Sequence, residues 1–377
     1  MVTEVGLRKI DADTHISLPV DYNDLRDLLP RTQASQAKEM MWRETQRFMD
    51  PNGVRASVGS ESRGAARGSG GVDGNPDNIE FRLQQMERLG FDMQVLVAQT
   101  ALPTVLRSAS IFGAPKPLWL RTALAQLYND SAAKLQSEYP DKFIGLMTVP
   151  WDDIDASISL MEQGKAQGLR AVTLQGSWLD QNLDAPELYP FWEAVNSLDI
   201  ACIMHDTPQP CGGNLVDHNT PYPMVGHERY HRLHIGTYLG FGLDYTVACA
   251  ALSLGGVLDD FPNLRFLFFE AGATWMTYAM MGADRSFYIE PACSRTKNLP
   301  SDLIKKHCFT AVENLEPLDQ LVEAYGADNF IIGTDYPHPE FQRLPNAPGD
   351  VTNSTRISDE DKAKILGGNM VRALKLA

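Results

Sequence analysis

The sequence is poor in cysteine and contains no CxxC pair. Its five cysteines, an odd number spread over 377 residues, are Cys202, Cys211, Cys249, Cys293 and Cys308. Small secreted domains that depend on disulfides have cysteines in pairs and at high density. The pattern therefore predicts reduced thiols in a cytoplasmic protein rather than a disulfide framework.

Long hydrophobic segments and an N-terminal targeting segment are also missing. The longest apolar stretches, such as LRFLFFEAGA at 264–273, are too short to cross a bilayer, which takes about 20 apolar residues. No basic region followed by an apolar segment opens the chain, so no secretory signal is expected. These absences predict a protein that has no membrane partner.

Positive charge is scarce. The chain has 33 Lys and Arg against 48 Asp and Glu, which gives a formal net charge of −15 at pH 7. A chain with this balance repels a polyanion, whereas nucleic-acid-binding proteins present basic surfaces. DNA and RNA are therefore not expected partners, and a small molecule is the expected substrate.

Strand-like apolar runs alternate with helix-like amphipathic segments along nearly the whole chain. Eight runs are predicted as strands, and they begin near residues 9, 92, 143, 169, 200, 264, 308 and 329. Continuous apolar runs indicate strands that are buried on both faces, as in a parallel sheet. Eight strand–helix units predict an α/β protein with a closed (β/α)8 TIM barrel. An open doubly wound sheet is the alternative, but its G-x-G-x-x-G turn is missing after the first strand.

The barrel is expected to form a single domain over residues 1–377, with two loop insertions. Residues 52–76 are rich in Gly, Ser and Arg, which indicates a flexible surface segment or a lid. Residues 207–238 follow the fifth strand and contain four histidines: His218, His227, His231 and His234.

The first predicted strand, KIDADTHI, carries ionisable residues at alternate positions. Because side chains of a strand alternate between two faces, Asp11, Asp13 and His15 are expected on one side. Three ionisable groups on one face of a buried strand are costly unless a partner compensates them, and a metal ion would do so. For Asp11 we favour a purely structural role, either at the strand end or beside a helix dipole.

Polar residues also follow other predicted strands, where the active site of a TIM barrel is found. The complete set of strand-end candidates is Asp13 and His15 on the first strand, His205 on the fifth, Glu270 on the sixth, and Asp335 and His338 on the eighth. Histidines combined with carboxylates suit one divalent ion, zinc or manganese. Such an ion lowers the pKa of a bound water, and a nearby base completes its activation.

Some of these residues have structural alternatives. His205 alone could be a core histidine, and Glu270 could form a buried ion pair with an arginine such as Arg285. His338 precedes a proline in a loop, so a surface position is as plausible as a substrate contact.

The stretch HERYH at 227–231 matches the H-E-x-x-H pattern of zinc proteases. It lies in a loop-rich insertion without the apolar helix that these proteases need, so we do not favour a protease. We expect His227, His231 and His234 to line the substrate mouth or a subunit contact.

Taken together, several motifs resemble a known family. DADTH, MHDTP, FPNLRFLFFEAGATW and GTDYPHPE fall at the first, fifth, sixth and eighth strands. With MERLGFDMQVLV, YPDKFIGLMTVP and GGNMVRAL they resemble the amidohydrolase superfamily, in its amidohydrolase-2 branch, over about residues 9–374. That branch includes aminocarboxymuconate-semialdehyde decarboxylase and related aromatic-acid decarboxylases.

The resemblance implies a TIM barrel, a dimer and a single divalent metal ion held by Asp13, His15, His205 and Asp335. The sequence departs from the decarboxylases at the sixth strand, where they have a histidine and this chain has Glu270.

Because of that departure, the main hypothesis is a metal-dependent hydrolase that acts on a small aromatic or ring-derived carboxylate through metal-activated water. Asp335, Glu270 and His338 would be its catalytic residues. The alternative is a non-oxidative decarboxylase, in which no water attacks. A barrel that only binds a ligand is a third hypothesis, which the complete ligand set disfavours.

Overall fold

A computed structural model describes residues 8–18, 22–49, 77–98, 117–205, 239–313, 316–338 and 347–376. Both predicted insertions, 52–76 and 207–238, lie outside these ranges, as do His218, His227, His231 and His234. The expectations for these segments stay predictions, and so does the single-domain organisation.

All eight predicted strands are present. In chain order they are β1 (Ile10–Ile16), β2 (Met93–Ala98), β3 (Phe143–Gly145), β4 (Ala171–Leu174), β5 (Ala201–Met204), β6 (Phe266–Phe268), β7 (Cys308–Val312) and β8 (Phe330–Ile332). Several are shorter than their apolar runs, because the flanking apolar residues are buried without joining a regular ladder.

Helices separate the strands. They are α1 (Tyr22–Leu28), α2 (Arg31–Met49), α3 (Ile79–Leu89), α4 (Leu118–Glu138), α5 (Ile154–Ala166), α6 (Tyr189–Leu198), α7 (Gly240–Leu254), α8 (Val257–Asp260), α9 (Thr274–Ile289), α10 (Pro300–His307), α11 (Leu318–Tyr325), α12 (Ala347–Asn353), α13 (Asp359–Ala363) and α14 (Asn369–Leu374). Short 3-10 turns at Pro186–Leu188 and Pro291–Cys293 and a π-turn at Lys364–Gly368 complete the order. Within the described ranges, no helix has both the length and the apolar character needed to cross a membrane.

Every neighbouring pair of strands is parallel. Regular ladders join β1, β2 and β3 into one sheet and β4, β5, β6, β7 and β8 into another, each in sequence order. An isolated bridge between Met147 and Val172 connects the two sheets. The amide of Met147 donates to the carbonyl of Ala171 over 2.8 Å there, and that of Thr173 donates to the carbonyl of Met147 over 2.8 Å.

The second seam, between β8 and β1, closes the barrel. A bridge pairs Thr14 with Tyr336, and the amide of His15 donates to the carbonyl of Tyr336 over 2.6 Å. The amide of Asp335 donates to the carbonyl of Asp13 over 2.9 Å. The predicted (β/α)8 barrel is therefore confirmed, and this seam runs through the predicted site.

The barrel interior is apolar and packed. Its inward side chains include Ala12, Val95, Ile203, Phe269 and Ile331. A second, larger apolar layer lies between the strands and the surrounding helices. Since the interior is filled in this way, the polar residues of the strand ends are confined to the mouth of the barrel.

Helix α3 has a capping residue at each end. The side chain of Asn78 accepts a hydrogen bond from the amide of Phe81, which satisfies the helix start. Gly90 ends the helix with a φ of 75°, a left-handed conformation that favours glycine. Arg82 and Met86 are buried on the face towards the sheet.

The strict alternation expected in β1 is wrong, because the strand contains a bulge. Asp11 pairs with Gln94, and Thr14 pairs with Leu96, so three steps along β1 oppose two along β2. Ala12 therefore joins the barrel interior, while the Asp11 side chain is turned away from Asp13 and His15. The carboxylate of Asp11 accepts hydrogen bonds from Thr334 instead, which agrees with the structural role favoured for it.

Candidate metal centre

Three predicted residues meet at the carboxyl ends of β1 and β5. The Nε2 atom of His15 lies 3.6 Å from Asp13 Oδ1, and His205 Nε2 lies 3.8 Å from the same oxygen. The two imidazoles are edge to face, with ring centroids 4.9 Å apart. One ligand atom from each of the three residues falls within 4.8 Å of the others.

A second group overlaps the first and adds the end of β8. Asp335 Oδ1 lies 3.1 Å from His15 Nε2 and 2.7 Å from His338 Nδ1. The His338 ring stacks on His15 at a centroid distance of 4.2 Å. The structure therefore brings His338 into the site, which argues against a plain surface position.

This cluster is buried, and its two aspartates are not fully hydrogen-bonded among the described residues. Asp13 and His15 are 1% exposed, and Asp335 is 4% exposed. Among the described residues, Asp13 Oδ1 and Asp335 Oδ2 find no hydrogen-bond donor. Buried carboxylate oxygens without a partner cost free energy, and a cation between them would remove that cost. The residue types and their spacing therefore suit one divalent metal ion.

The charges of the cluster are strongly coupled. Burial, and then the neighbouring Asp335 carboxylate, raises the pKa of Asp13. Burial alone would raise the pKa of Asp335 too, but the imidazoles of His338 and His15 outweigh it and keep that pKa low. Burial lowers the pKa of His15, and the neutral imidazole is the form that ligates metals.

Glu270 reaches the site through an unusual backbone conformation. Phe268 faces the helix layer and Phe269 the barrel interior, so alternation alone would point Glu270 outwards. Its φ of 59° is left-handed, and its Oε2 lies 3.5 Å from His205 Nε2. Such a conformation costs about 1–3 kcal/mol in a non-glycine residue and often occurs at functional sites. Arg285, the alternative partner of Glu270, is exposed on α9.

The turn after Glu270 is held by Glu316. The Glu316 carboxylate accepts hydrogen bonds of 2.8 Å from the amides of Ala273 and Thr274, at the start of α9. Gly272 has a φ of 70°, and a Cβ on it would lie 2.7 Å from Glu316 Oε1. The glycine is therefore required both by its conformation and by the close approach of this carboxylate.

Two polar residues at strand ends were not among the predicted candidates: Gln175 after β4 and Glu313 after β7. The charge of Glu313 contributes to the raised pKa of Asp13, which places it near the cluster. Gln175 is 8% exposed, and its Oε1 has no hydrogen-bond partner among the described residues. The criterion that selected His205, a polar residue directly after an apolar run, also applies to both.

A parallel barrel with buried histidines and aspartates at its mouth defines the class of metal-binding TIM-barrel enzymes. A sequence model of the amidohydrolase family matches residues 10–376, and the chain therefore belongs to this family. The resemblance stated from the motifs is thereby confirmed.

Several proteins similar to this chain are decarboxylases by name. The chain is 27% identical to 2-amino-3-carboxymuconate-6-semialdehyde decarboxylase of Dictyostelium discoideum over 314 residues, which covers 81% of this chain and 79% of the relative. The structure of 5-carboxyvanillate decarboxylase from Sphingomonas paucimobilis matches with a TM-score of 0.70 and 19% identity, covering 98% of this chain and 100% of that one. A dihydroxybenzoic acid decarboxylase from Polaromonas, solved with manganese and the inhibitor 2-nitroresorcinol, matches with a TM-score of 0.66 and 19% identity, covering 98% and 97%.

Proposed function

We propose that this protein is a metal-dependent decarboxylase of an aromatic or unsaturated carboxylic acid. The observation that carries the proposal is the buried cluster of Asp13, His15, His205 and Asp335 at the barrel mouth, in which the Asp13 Oδ1 and Asp335 Oδ2 atoms find no hydrogen-bond donor among the described residues. The relatives named above are decarboxylases of such acids, so the alternative drawn from the sequence has more support than the hydrolase of the main hypothesis.

Asp13, His15, His205 and Asp335 would hold one divalent ion. When bound, the ion supplies positive charge that binds the substrate carboxylate and stabilises negative charge on the substrate. A set of two carboxylates and two imidazoles suits manganese as well as zinc. The manganese in the Polaromonas enzyme favours manganese here.

Decarboxylation breaks a carbon–carbon bond, releases CO2 and leaves an electron pair on carbon that must accept a proton. His338 Nδ1 lies 2.7 Å from Asp335 Oδ1, a contact that favours the proton on that nitrogen and leaves Nε2 to exchange a proton with the substrate. The Glu270 carboxyl group, beside His205, is the second group that can move a proton.

Gln175 is positioned to recognise a substituent of the substrate. Leu174 pairs with Met204 in the parallel ladder, so Gln175 and His205 lie side by side at the ends of their strands. Strands are spaced by about 4.8 Å, which brings the carboxamide close to the candidate ligand. A substrate hydroxyl or amino group would satisfy the buried Oε1 atom.

Hydrolysis is the second candidate, and the position of Glu270 favours it. The left-handed backbone turns this carboxylate towards the cluster, where a base that activates water would stand. In the decarboxylases that the motifs resemble, a histidine occupies this place.

The test uses manganese-loaded protein and three probes: 2-amino-3-carboxymuconate-6-semialdehyde, 2,6-dihydroxybenzoate and 5-carboxyvanillate. The measurements are CO2 release and the incorporation of isotopically labelled oxygen from water into the organic product. We expect CO2 from at least one probe without labelled organic product, and no CO2 from Asp335→Asn. Labelled product without CO2 would establish hydrolysis and overturn the proposal.

A further inference from the structure

Arg82 is a fully buried arginine that reaches from α3 to the back of the metal-ligand strand. Its Nη2 donates to the carbonyl oxygen of His15. Its Nη1 donates to Gln94 Oε1 at 3.0 Å and to Thr14 Oγ1 at 3.3 Å. One guanidinium therefore holds β1 and β2 together at the level of a candidate ligand.

The same guanidinium also contacts the end of β8. Its Cζ lies 5.0 Å from the centroid of the Tyr336 ring, within the range of a cation–π interaction. Tyr336 directly follows Asp335, and its carbonyl accepts the 2.6 Å hydrogen bond from the amide of His15. Arg82 thus touches β1 and the segment that follows β8, which lie on the two sides of the seam that closes the barrel.

A chain of hydrogen bonds extends this contact across the seam. Gln94 Nε2 donates to Asp11 Oδ2 at 3.5 Å. Asp11 accepts from the amide of Thr334 at 2.9 Å and from its hydroxyl at 2.7 Å. These four residues, Arg82, Gln94, Asp11 and Thr334, form the Arg82 network, which runs from α3 through β2 and β1 to the residue before Asp335.

We propose that Arg82 is a positioning residue for the metal centre: it sets the spacing between the ligands of β1 and the ligand of β8. The inference rests on the proposed function, since it concerns the same metal site. A guanidinium presents its N–H groups in a rigid planar fork, so it can bond two strands and stack on a ring at once. The ammonium group of lysine has no such fixed geometry and would keep the charge without the spacing.

The chain offers a matched control in Arg265. This arginine, mostly buried, lies just before β6 at the opposite end of the barrel. It donates to the carbonyl of Ala373 at 2.6 Å, to Asp199 Oδ1 at 2.7 Å and to the carbonyl of Asn263 at 2.7 Å. Its guanidinium group makes a comparable set of hydrogen bonds but contacts none of the candidate metal ligands.

The experiment compares Arg82→Lys with Arg265→Lys. The dissociation constant for manganese is measured by electron paramagnetic resonance of free Mn²⁺, at a temperature where near-ultraviolet circular dichroism shows folded protein. We expect both variants to unfold at a lower temperature than wild type. Only Arg82→Lys should bind manganese more weakly, by roughly 10- to 100-fold, as for other residues that orient metal ligands.

Thr334→Val keeps the proposal testable if Arg82→Lys does not fold. It removes the hydroxyl that donates to Asp11 Oδ2 at 2.7 Å and accepts from the amide of Tyr336 at 3.3 Å, and we expect a smaller but measurable weakening of manganese binding. Wild-type manganese affinity in whichever of these two variants folds, despite a lowered unfolding temperature, would overturn the inference. If Arg82→Lys binds manganese more weakly but wild type releases no CO2 from any probe, the inference is supported and the proposed decarboxylation is overturned.

Discussion

The amide of Asp335 donates a 2.9 Å hydrogen bond to the carbonyl oxygen of Asp13. This bond joins the last strand to the first, so the two carboxylates of the candidate metal centre stand on either side of the barrel closure. Small displacements at this seam should therefore affect metal binding before they affect the rest of the fold.

Removing one candidate ligand should abolish tight metal binding. Asp335→Ala and His205→Ala each delete a ligand atom from a buried cluster, so we expect about one metal ion per chain in wild type and little in either variant. Elemental mass spectrometry of the purified proteins measures this. Asp328→Asn is the control, because Asp328 is exposed and pairs with Lys364 at 3.2 Å. Full metal content in both ligand variants would refute the assignment.

A methyl group at Gly333 should displace a ligand. A Cβ on Gly333 would lie 2.9 Å from the Cβ of Asp13, closer than such atoms approach, so Gly333→Ala must move Asp13 or the end of β8. We expect weaker manganese binding and a lower unfolding temperature. Gly282→Ala is the matched change: nothing lies within 4 Å of its Cβ, and alanine stabilises an exposed helix position by up to about 1 kcal/mol. Unchanged manganese affinity in Gly333→Ala would contradict the geometry.

Glu270→Gln should separate catalysis from metal binding. The amide keeps the size of the side chain but cannot transfer a proton at neutral pH. We expect kcat to fall by roughly 10²- to 10⁴-fold, the usual range for a general acid or base, while the metal content is retained. Glu290→Gln, an exposed change at the end of α9, should leave kcat unchanged. A kcat near that of wild type in Glu270→Gln would remove this residue from the mechanism.

His307 should make the stability of the barrel depend on pH. Its Nδ1 donates to the carbonyl of Leu264 at 2.7 Å, and its Nε2 has no hydrogen-bond partner among the described residues. Burial lowers the pKa of this histidine below its usual value of 6.5. Below about pH 6.5 the unfolded chain takes up a proton that the folded protein resists, so stability falls as pH decreases towards the folded-state pKa.

The measurement is the unfolding temperature of metal-free protein between about pH 8 and pH 5. In His307→Asn the amide can still donate to Leu264 but does not titrate, so its unfolding temperature should depend less on pH than that of wild type. Parallel curves for the two proteins would show that His307 contributes nothing to the acid sensitivity.

The barrel could be predicted from the sequence, and so could several of the residues that cluster at its mouth. Buried parallel strands have continuous apolar runs in their sequence. Eight such runs with intervening helices are compatible with few folds. His205 and Asp335 were found because a polar residue directly after such a run lies at the barrel mouth. This rule can be applied to a sequence without a structure, because it requires only the position at which each apolar run ends.

Other features depend on tertiary contacts that no local pattern records. The bulge that separates Asp11 from Asp13 is set by pairing with β2, and the alternation in the sequence predicts a regular strand instead. The left-handed conformation of Glu270 has no sequence signal at a non-glycine residue. Arg82 lies on an amphipathic helix, where an arginine normally indicates an exposed face, and only the structure shows it buried behind β1.

The closing seam also bears on how the protein is made. Asp13 and His15 leave the ribosome early and His205 midway, but Asp335 is synthesised only with the last strand. Until β8 docks, the nascent chain can offer the cation three of the four proposed ligands. Tight metal binding would then follow the docking of β8, so the metal would stabilise the completed barrel and would not start its folding.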